Sequence, residues 1–210
     1  MTQDSTLTKG ERTRQVILDT AERLILAQGY HGTSMRQIAD EAGIAVGGIY
    51  NHFASKEAIF TALIEEHQPY TDIVAGLSAL SGLSGESAAE LVESAARLAI
   101  EQVRADPVFI RLAIIDMQEF EGHTVVRFAN FLIQGLMAFT GQLVASGQVR
   151  EDLPLPVLMR SFAGMVIFYV ISEVVAFGGD SPRIDLPATD EIDWIGGLVD
   201  VYLNGVLRKT

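Results

Sequence analysis

The sequence predicts an all-α protein of about nine helices, in which a small three-helix, helix-turn-helix domain precedes a larger helical domain. Apolar residues recur at intervals of three and four along most of the 210 residues, which is the period of a helix with one buried face. Capping residues and glycines mark where these segments start and end. We find no convincing run of alternating strand residues.

The helices follow from local signals in chain order. Thr8 and Glu11 have the spacing of a capping box, and Gly29 and Gly43 are placed to end the first and second helices. The Gly- and Ser-rich segment 76–85 is interpreted as a loop or a weak helix end. The predicted helices span residues 8–28, 34–42, 46–52, 55–67, 87–104, 107–119, 123–146, 156–177 and 190–207. We therefore predict domains at 9–67 and 68–210.

Composition narrows the classes of function. The chain has no cysteine, which excludes disulfides, thiolate metal sites and a cysteine nucleophile and agrees with a reducing cytoplasm. Residues 1–9 are polar and do not resemble a signal peptide. The most apolar stretch, 161–172, is twelve residues long, whereas a membrane span needs about 20. We predict a cytoplasmic protein with a buried helix there, and neither a membrane partner, a cofactor nor a metal.

The charge is unevenly distributed. The net charge is −12. Residues 1–60 carry six Lys/Arg against seven Asp/Glu, and the remaining 150 carry nine against twenty, so −1 and −11 sum to −12. An acidic body repels nucleic acid, so any contact with DNA should come from the N-terminal domain alone.

Three residues between Ser34 and Phe53 have the spacing of a helix-turn-helix. Counted from Met35, Ala39 is position five, Gly43 position nine and Ile49 position fifteen. Position five must be small because the second helix crosses it, and glycine leaves the first helix with positive φ at least cost. An apolar residue at position fifteen locks the two helices together. Other folds also contain a short helix that ends in glycine before another helix.

The segment 29–60 resembles the N-terminal domain of the TetR family of bacterial transcriptional regulators. The resemblance extends over about residues 10–65; beyond it the chain matches only in being helical and of similar length. The matching elements are Gly29-Tyr30, Thr33, Ile38-Ala39, Glu41-Ala42-Gly43, Gly47, Tyr50, Phe53 and Ser55-Lys56-Glu57.

The resemblance implies a recognition helix at 45–52 and a set of residues that contact DNA. Phosphate contacts are implied for Thr33, Arg36 and Lys56, and phosphate or thymine contacts for Tyr50 and His52. The two glycines let the backbone approach DNA, and Asn51 can pair with adenine. The implied set is Thr33, Arg36, Val46, Gly47, Gly48, Tyr50, Asn51, His52 and Lys56.

Val46 departs from the family pattern, in which many relatives carry a polar or basic residue. Valine donates no hydrogen bond, but its methyl groups can touch a thymine methyl. Each glycine inside a helix also costs about 1 kcal/mol relative to alanine. We expect few direct base contacts, with backbone contacts and DNA shape supplying the remaining sequence readout.

The C-terminal body is expected to form a homodimer, because the family binds DNA as two-fold dimers with recognition helices about 34–36 Å apart. Apolar residues in the last helix are spaced 3, 4, 3 and 4 apart, which is typical of a narrow packing seam. An ordinary core helix would show the same spacing. The predicted interface consists of Ile192, Ile195, Val199, Tyr202 and Val206.

The family also implies a small-molecule effector bound inside this body. Glu173 lies between apolar runs; it could meet a cationic ligand, pair with Arg127 or Arg160, or point to solvent. Plain core packing would explain the same aromatic and methionine residues. The candidate pocket residues are Met117, Phe120, Phe128, Phe131, Phe162, Met165, Tyr169 and Glu173.

These features together predict a sequence-specific transcriptional regulator, a repressor released from its operator by a ligand. No nucleophile, phosphate-loop, dinucleotide or zinc-protease motif is found, so we predict that the chain is not an enzyme. The alternatives are a helical enzyme and an interaction module, each with an accessory N-terminal domain.

Overall fold

The computed structural model describes residues 8–82, 85–149, 152–177 and 193–206. The all-α prediction is confirmed. Ten helices occupy the described ranges: α1 Lys9–Gln28, α2 Met35–Glu41, α3 Val46–Ile49, α4 Lys56–His67, α5 Tyr70–Ser81, α6 Ala88–Ala105, α7 Pro107–Glu119, α8 His123–Ala145, α9 Leu155–Phe177 and α10 Trp194–Val206.

Side-chain caps start several helices where the sequence predicts them. Thr8 and Glu11 form the expected capping box at α1. Ser34 forms a second capping box at α2 with Gln37, and Ser55 accepts a hydrogen bond from the backbone of Ala58 at α4. These oxygens satisfy N–H groups that have no partner within the helix.

Helix α5 is absent from the sequence prediction, which places a loop from residue 76. Pro69 separates it from α4, because a proline forces the residue before it out of the helical conformation, and Gln68 is extended, with ψ of 130°. Gly76 serves packing here instead of breaking the helix. A Cβ at this position would collide with the Leu98 side chain, so glycine lets α5 approach α6 closely.

The described helices divide into two compact units. Unit 1 comprises residues up to Gln68 together with Arg111–Val125, and unit 2 comprises Pro69–Ile110 and the residues from Val126 onward. The chain passes from unit 1 to unit 2 between Gln68 and Pro69. The sequence prediction places 111–125 in the larger domain, whereas these residues pack with unit 1 because Phe120 joins its aromatic cluster.

Unit 1 has a core formed by α1, α2, α3 and α4. Its largest fully buried side chains include Ile17, Ile38, Ile49 and Phe60. Two polar contacts also join α1 to α4. Gln15 donates to Glu66 at 2.8 Å, and His67 lies 2.8 Å from Glu22. The unit therefore combines an apolar interior with hydrogen bonds along one edge.

In unit 2, helices α5, α6, α8, α9 and α10 surround one apolar core. The sequence predicts that α9, apolar nearly all round, is buried on two sides. One face is buried in this core, with Leu158, Phe162 and Val170 each at most 6% exposed. The opposite face is open, with Ile167 54% and Phe168 75% exposed.

The apolar seam of α10, which the sequence predicts to be the dimer interface, faces the core of unit 2 instead. Val199 is 3% exposed, Ile195 and Tyr202 pack against the same core, and the Tyr202 hydroxyl donates to the Leu158 carbonyl at 3.1 Å. The exposed large apolar side chains of α10 are Trp194 and Val201, at 41% and 74%. Ile192 and the Val206 side chain lie outside the described residues. The seam is core because α6 and α9 cover it within the same chain.

Two helical segments are long and apolar enough to cross a membrane by length and composition alone. They are α8 and residues Leu155–Ser172, with 22% and 28% of the residues buried in the apolar windows. Soluble core helices meet the same criteria of length and composition.

Candidate nucleic-acid interface

The α2–α3 turn has the geometry that its sequence predicts. Gly43 adopts a φ of 68°, which is accessible to glycine at little cost, and the Ile44 amide donates to the Ala39 carbonyl at 3.0 Å. Ala39 and Ile49 are both 0% exposed. All three residues therefore hold the two helices together, and the packing residues Ala39 and Ile49 are hidden from any ligand.

The recognition helix is shorter than predicted. Only Val46–Ile49 is α-helical, whereas the family resemblance implies helix over 45–52. The chain then continues in tighter turns, with the Asn51 amide on the Gly48 carbonyl at 3.2 Å and the His52 amide on the Ile49 carbonyl at 3.0 Å. Two consecutive glycines and an Ala45 N-cap without a side-chain hydrogen bond explain why the helix is short.

Three side chains of this segment project into solvent. Val46 is 39% exposed, Tyr50 is 53% exposed, and Asn51 is also exposed. Gly47 is exposed, Gly48 and His52 are half-buried, and a Cβ built on either glycine meets nothing within 4 Å. The fold itself therefore does not require either glycine, and the bare backbone is open to a ligand.

Of Thr33, Arg36 and Lys56, which the resemblance assigns to phosphate contacts, only Arg36 has a well-exposed side chain. Its side chain is 82% exposed and lies 3.8 Å from Asp40 one turn later in α2. Exposed ion pairs at this spacing contribute only about 0.3–0.5 kcal/mol. The guanidinium can leave this carboxylate for a phosphate at little cost.

Thr33 is placed differently from what the resemblance implies. The residue is 2% exposed, and its hydroxyl donates to the Gly29 carbonyl at 3.0 Å. The Gln28 side chain donates in turn to this hydroxyl at 3.4 Å. Thr33 thus stabilises the turn after α1, and in this conformation its hydroxyl does not face solvent.

Lys56 also turns inward. Its ammonium donates to the carbonyls of Tyr30 and Thr33, at 2.6 and 2.7 Å, and lies 3.9 Å from the centre of the Tyr30 ring. Partial burial lowers the pKa of Lys56, opposed by the negative charge of Glu119. Two of the three N–H donors are already used, so the first role of this lysine is to join the Tyr30–Thr33 turn to α4.

An aromatic cluster supports that turn from behind. The Phe120 ring lies 4.8 Å from Tyr30 and 5.1 Å from Phe60, and Tyr30 lies 5.4 Å from Phe60. Glu119 pairs with His31 at 2.5 Å. The sequence prediction assigns Phe120 to the ligand pocket, whereas its ring packs against Tyr30 and Phe60. No local pattern could have indicated this, because these partners lie 90 and 60 residues earlier in the chain.

The other predicted pocket residues differ widely in their surroundings. Met117 belongs to unit 1 and is 67% exposed, and Phe131 is 48% exposed. Phe128 is half-buried with the Arg127 guanidinium 4.9 Å from its ring. Phe162, Met165 and Tyr169 do lie together on the core side of α9. The Glu173 side chain lies outside the described residues.

Comparison with known proteins agrees with this geometry. The family model of bacterial regulatory proteins of the tetR family matches residues 17–63. The HTH-type transcriptional repressor AcnR of Corynebacterium glutamicum is 30% identical to this chain over 154 residues, which make up 71% of this chain and 76% of AcnR. The HTH-type transcriptional regulator UidR of Escherichia coli is 37% identical over 31% of this chain and 33% of its own length.

Solved structures share the fold over nearly the whole chain. A TetR-family transcriptional regulator from Mesorhizobium loti has a TM-score of 0.70 at 19% identity, covering 96% of this chain and 100% of its own. FadR from Bacillus subtilis, solved with stearoyl-CoA, has a TM-score of 0.61 at 20% identity, covering 90% and 95%. With its helix-turn-helix, its exposed recognition segment and these relatives, this chain belongs to the TetR family of bacterial regulatory proteins, which are DNA-binding transcriptional regulators and not enzymes.

Proposed function

We propose that the protein is a homodimeric, cytoplasmic repressor that binds an operator through the α2–α3 segment of each protomer and leaves it when a small molecule binds in unit 2. The observation that carries the proposal is that Val46, Gly47, Tyr50 and Asn51 are exposed on a fully packed helix-turn-helix. Repression is inferred because the relative AcnR is a transcriptional repressor.

Sequence readout would depend on a small number of groups. Asn51 is placed to hydrogen-bond a base edge, and the Val46 methyls suit a thymine methyl. Gly47 and Gly48 would bring peptide groups against the DNA backbone, and Tyr50 and His52 would contact phosphate or thymine. Arg36 supplies a phosphate contact, which positions the protein without selecting bases. Thr33 and Lys56 would act mainly by shaping the turn before α2.

We place the dimer interface on the open faces of α9 and α10 instead of on the predicted seam. Both faces combine large apolar residues with glycines, and glycine lets two helices from different protomers approach closely. A soluble monomer rarely exposes so large an apolar surface, and a second copy would cover it by two-fold symmetry. The proposed contact residues are Val157, Gly164, Ile167, Phe168, Ile171, Trp194, Gly197 and Val201.

A membrane is the competing occupant of these faces. Analytical ultracentrifugation of the full chain without detergent separates the two. A concentration-dependent dimer that the substitution Phe168→Glu converts to a monomer supports the proposed interface. The matched control is Met137→Glu, which changes an exposed residue of α8 and should leave the dimer intact. Protein that remains insoluble until detergent is added would contradict it.

The effector would bind on the core side of α9, near Phe162, Met165 and Tyr169. The surroundings are apolar, which suits a ligand with a substantial hydrophobic part. FadR, which shares the fold, holds stearoyl-CoA, so stearoyl-CoA is the first probe. A ligand that weakens DNA binding must itself be bound less tightly by the DNA complex, by the same factor.

Gel-shift titration against the DNA that flanks the gene of this protein tests operator binding. We expect a specific shift that persists at increasing salt while binding to an unrelated duplex disappears. Asn51→Ala should change the preferred sequence, whereas Asn130→Ala, an exposed residue of α8 in unit 2, should not. Equal affinity for both duplexes at every salt concentration would refute an operator at that locus.

A further inference from the structure

Several cations of the DNA-binding unit are engaged by other groups. Unit 1 carries Lys9, Arg12, Arg14, Arg23, Arg36, Lys56 and Arg111 in its described residues. Arg23 pairs with Glu41, Arg111 donates to the Leu26 carbonyl at 3.0 Å, and Lys56 donates to two carbonyls. A cation that is already satisfied gains less from a phosphate, so the electrostatic contact with DNA must depend on the others.

Arg14 stands out among the remaining cations. It is exposed, and its guanidinium carbon lies 5.0 Å from the centre of the Phe53 ring. Within the described ranges, no hydrogen bond or ion pair joins it to another group. A contact with the face of an aromatic ring is favourable within about 6 Å, and it leaves the five N–H donors of the guanidinium available.

The register of α1 explains why this arginine reaches the recognition segment. Ile17 and Leu18 follow it by three and four residues, so all three share one face of the helix. Both are buried, at 0% and 1% exposure. The face of α1 that enters the core therefore continues, one turn earlier, to Arg14 at the edge of the core.

Phe53 closes the core at that edge and connects it to the recognition turn. It is 5% exposed, and its amide donates to the Ile49 carbonyl at 3.0 Å. Asn51 precedes it by two residues, which places their Cα atoms within about 7 Å of each other. The guanidinium of Arg14 consequently lies beside the C-terminal end of the recognition segment.

We infer that Arg14 is a phosphate-binding residue of the DNA interface, which holds the sugar-phosphate backbone beside the recognition turn while its side chain rests on Phe53. The inference rests on DNA binding through α2 and α3. Guanidinium suits this role because two parallel N–H groups can bind two phosphate oxygens at once. Arg36 at α2 and Arg14 at α1 would then hold the backbone from two separate helices.

The test is the salt dependence of DNA binding by the full-length protein, measured on the operator and on an unrelated duplex. Each phosphate contact contributes about 0.9 to the slope of log K against log salt. We expect Arg14→Gln to reduce the slope by about two per dimer and to weaken binding to both duplexes by a similar factor, about tenfold or more. Arg14→Lys should retain most of the slope and lose part of the affinity.

Arg23→Gln is the matched control, because Arg23 is another exposed arginine of α1 that is already paired with a carboxylate. Its slope should equal that of the wild type. Urea unfolding checks that the Arg14→Gln variant is folded. If it is not, Arg14→Lys keeps the positive charge and tests the phosphate contact in a folded protein. An unchanged slope in Arg14→Gln, with wild-type binding intact, overturns this inference alone. If the wild type binds no DNA at all, operator binding and this inference both fail.

Discussion

The same kinds of sequence pattern predict the packing of helices in unit 1 but not in unit 2. In unit 1, Ala39, Gly43 and Ile49 occupy the packing and turn positions that their spacing predicts. In unit 2, α10 forms where it is predicted, yet Val199, which was expected in the dimer interface, faces the core, while Val201 faces solvent. Except for α5, which the sequence prediction lacks, helix position was predictable in both units, whereas helix orientation was predictable only in the first.

The difference reflects how many faces of a helix are apolar. A helix-turn-helix has one buried stripe per helix and a tight turn that fixes the angle between the two helices. Helices α9 and α10 carry apolar residues on opposite sides, so either side satisfies the same periodicity. When two faces are apolar, only the packing of the whole unit determines which of them becomes core.

The largest expected effect concerns the two faces of α10. Val199→Asp would place an unpaired carboxylate in the core of unit 2 and should destabilise it by about 4 kcal/mol or more. Val201→Asp should leave the protomer folded, because that side chain is 74% exposed, and should weaken the dimer. Urea unfolding at a fixed protein concentration measures the first effect, and sedimentation measures the second.

Equal destabilisation by the two substitutions would show that both faces are buried within one protomer, which contradicts the arrangement described here. Unfolding must be compared at one protein concentration, since the stability of a dimer depends on it.

A smaller difference in stability is expected between alanine substitutions at two glycines of unit 1, Gly32 and Gly47. A Cβ at Gly32 would collide with the Gln28 carbonyl oxygen, and backbone cannot yield as a side chain can. Gly32→Ala should cost about 1–3 kcal/mol, as overpacking usually does. Gly47→Ala meets open space and should stabilise the protein by up to about 1 kcal/mol while weakening DNA binding.

Thermal unfolding and gel-shift titration of the same two variants measure both quantities. If Gly47→Ala gains stability and binds DNA as well as the wild type, the bare backbone of the recognition segment has no role in the complex.

The smallest effect is a loss of stability at alkaline pH in unit 2. Burial raises the pKa of Tyr70 from 10.0 to about 12, so the folded state keeps its proton when the unfolded state has lost it. This stabilisation is present below pH 10 and is lost as the pH rises through 12. Tyr70→Phe should therefore reduce the loss of stability between pH 9 and 11 by about 1 kcal/mol.

Urea unfolding at both pH values measures this difference, with Tyr50→Phe as the control on an exposed tyrosine. A loss of equal size in Tyr70→Phe and wild type would mean that the Tyr70 hydroxyl is not the responsible group. Tyr202 has a similarly raised pKa, about 12, from burial, so part of the loss should remain.

The functional site was predictable to the extent that it is local. Val46, Tyr50 and Asn51 are exposed where the helix-turn-helix pattern places them. The roles of Thr33 and Lys56 could not be read from their neighbours. The carbonyls that bind Lys56 lie 26 and 23 residues earlier, and they come together only when α1 and α4 are packed.

The sequence by itself determined the capped helix starts at Thr8, Ser34 and Ser55, the turn between α2 and α3 and the family, because these depend on residues within a few positions of one another. The tertiary structure decided which faces of α9 and α10 are open, that Phe120 supports the Tyr30 turn, and that Arg14 lies beside Phe53. Those features depend on groups that are distant along the chain, and no period or cap in the sequence records which of them will meet.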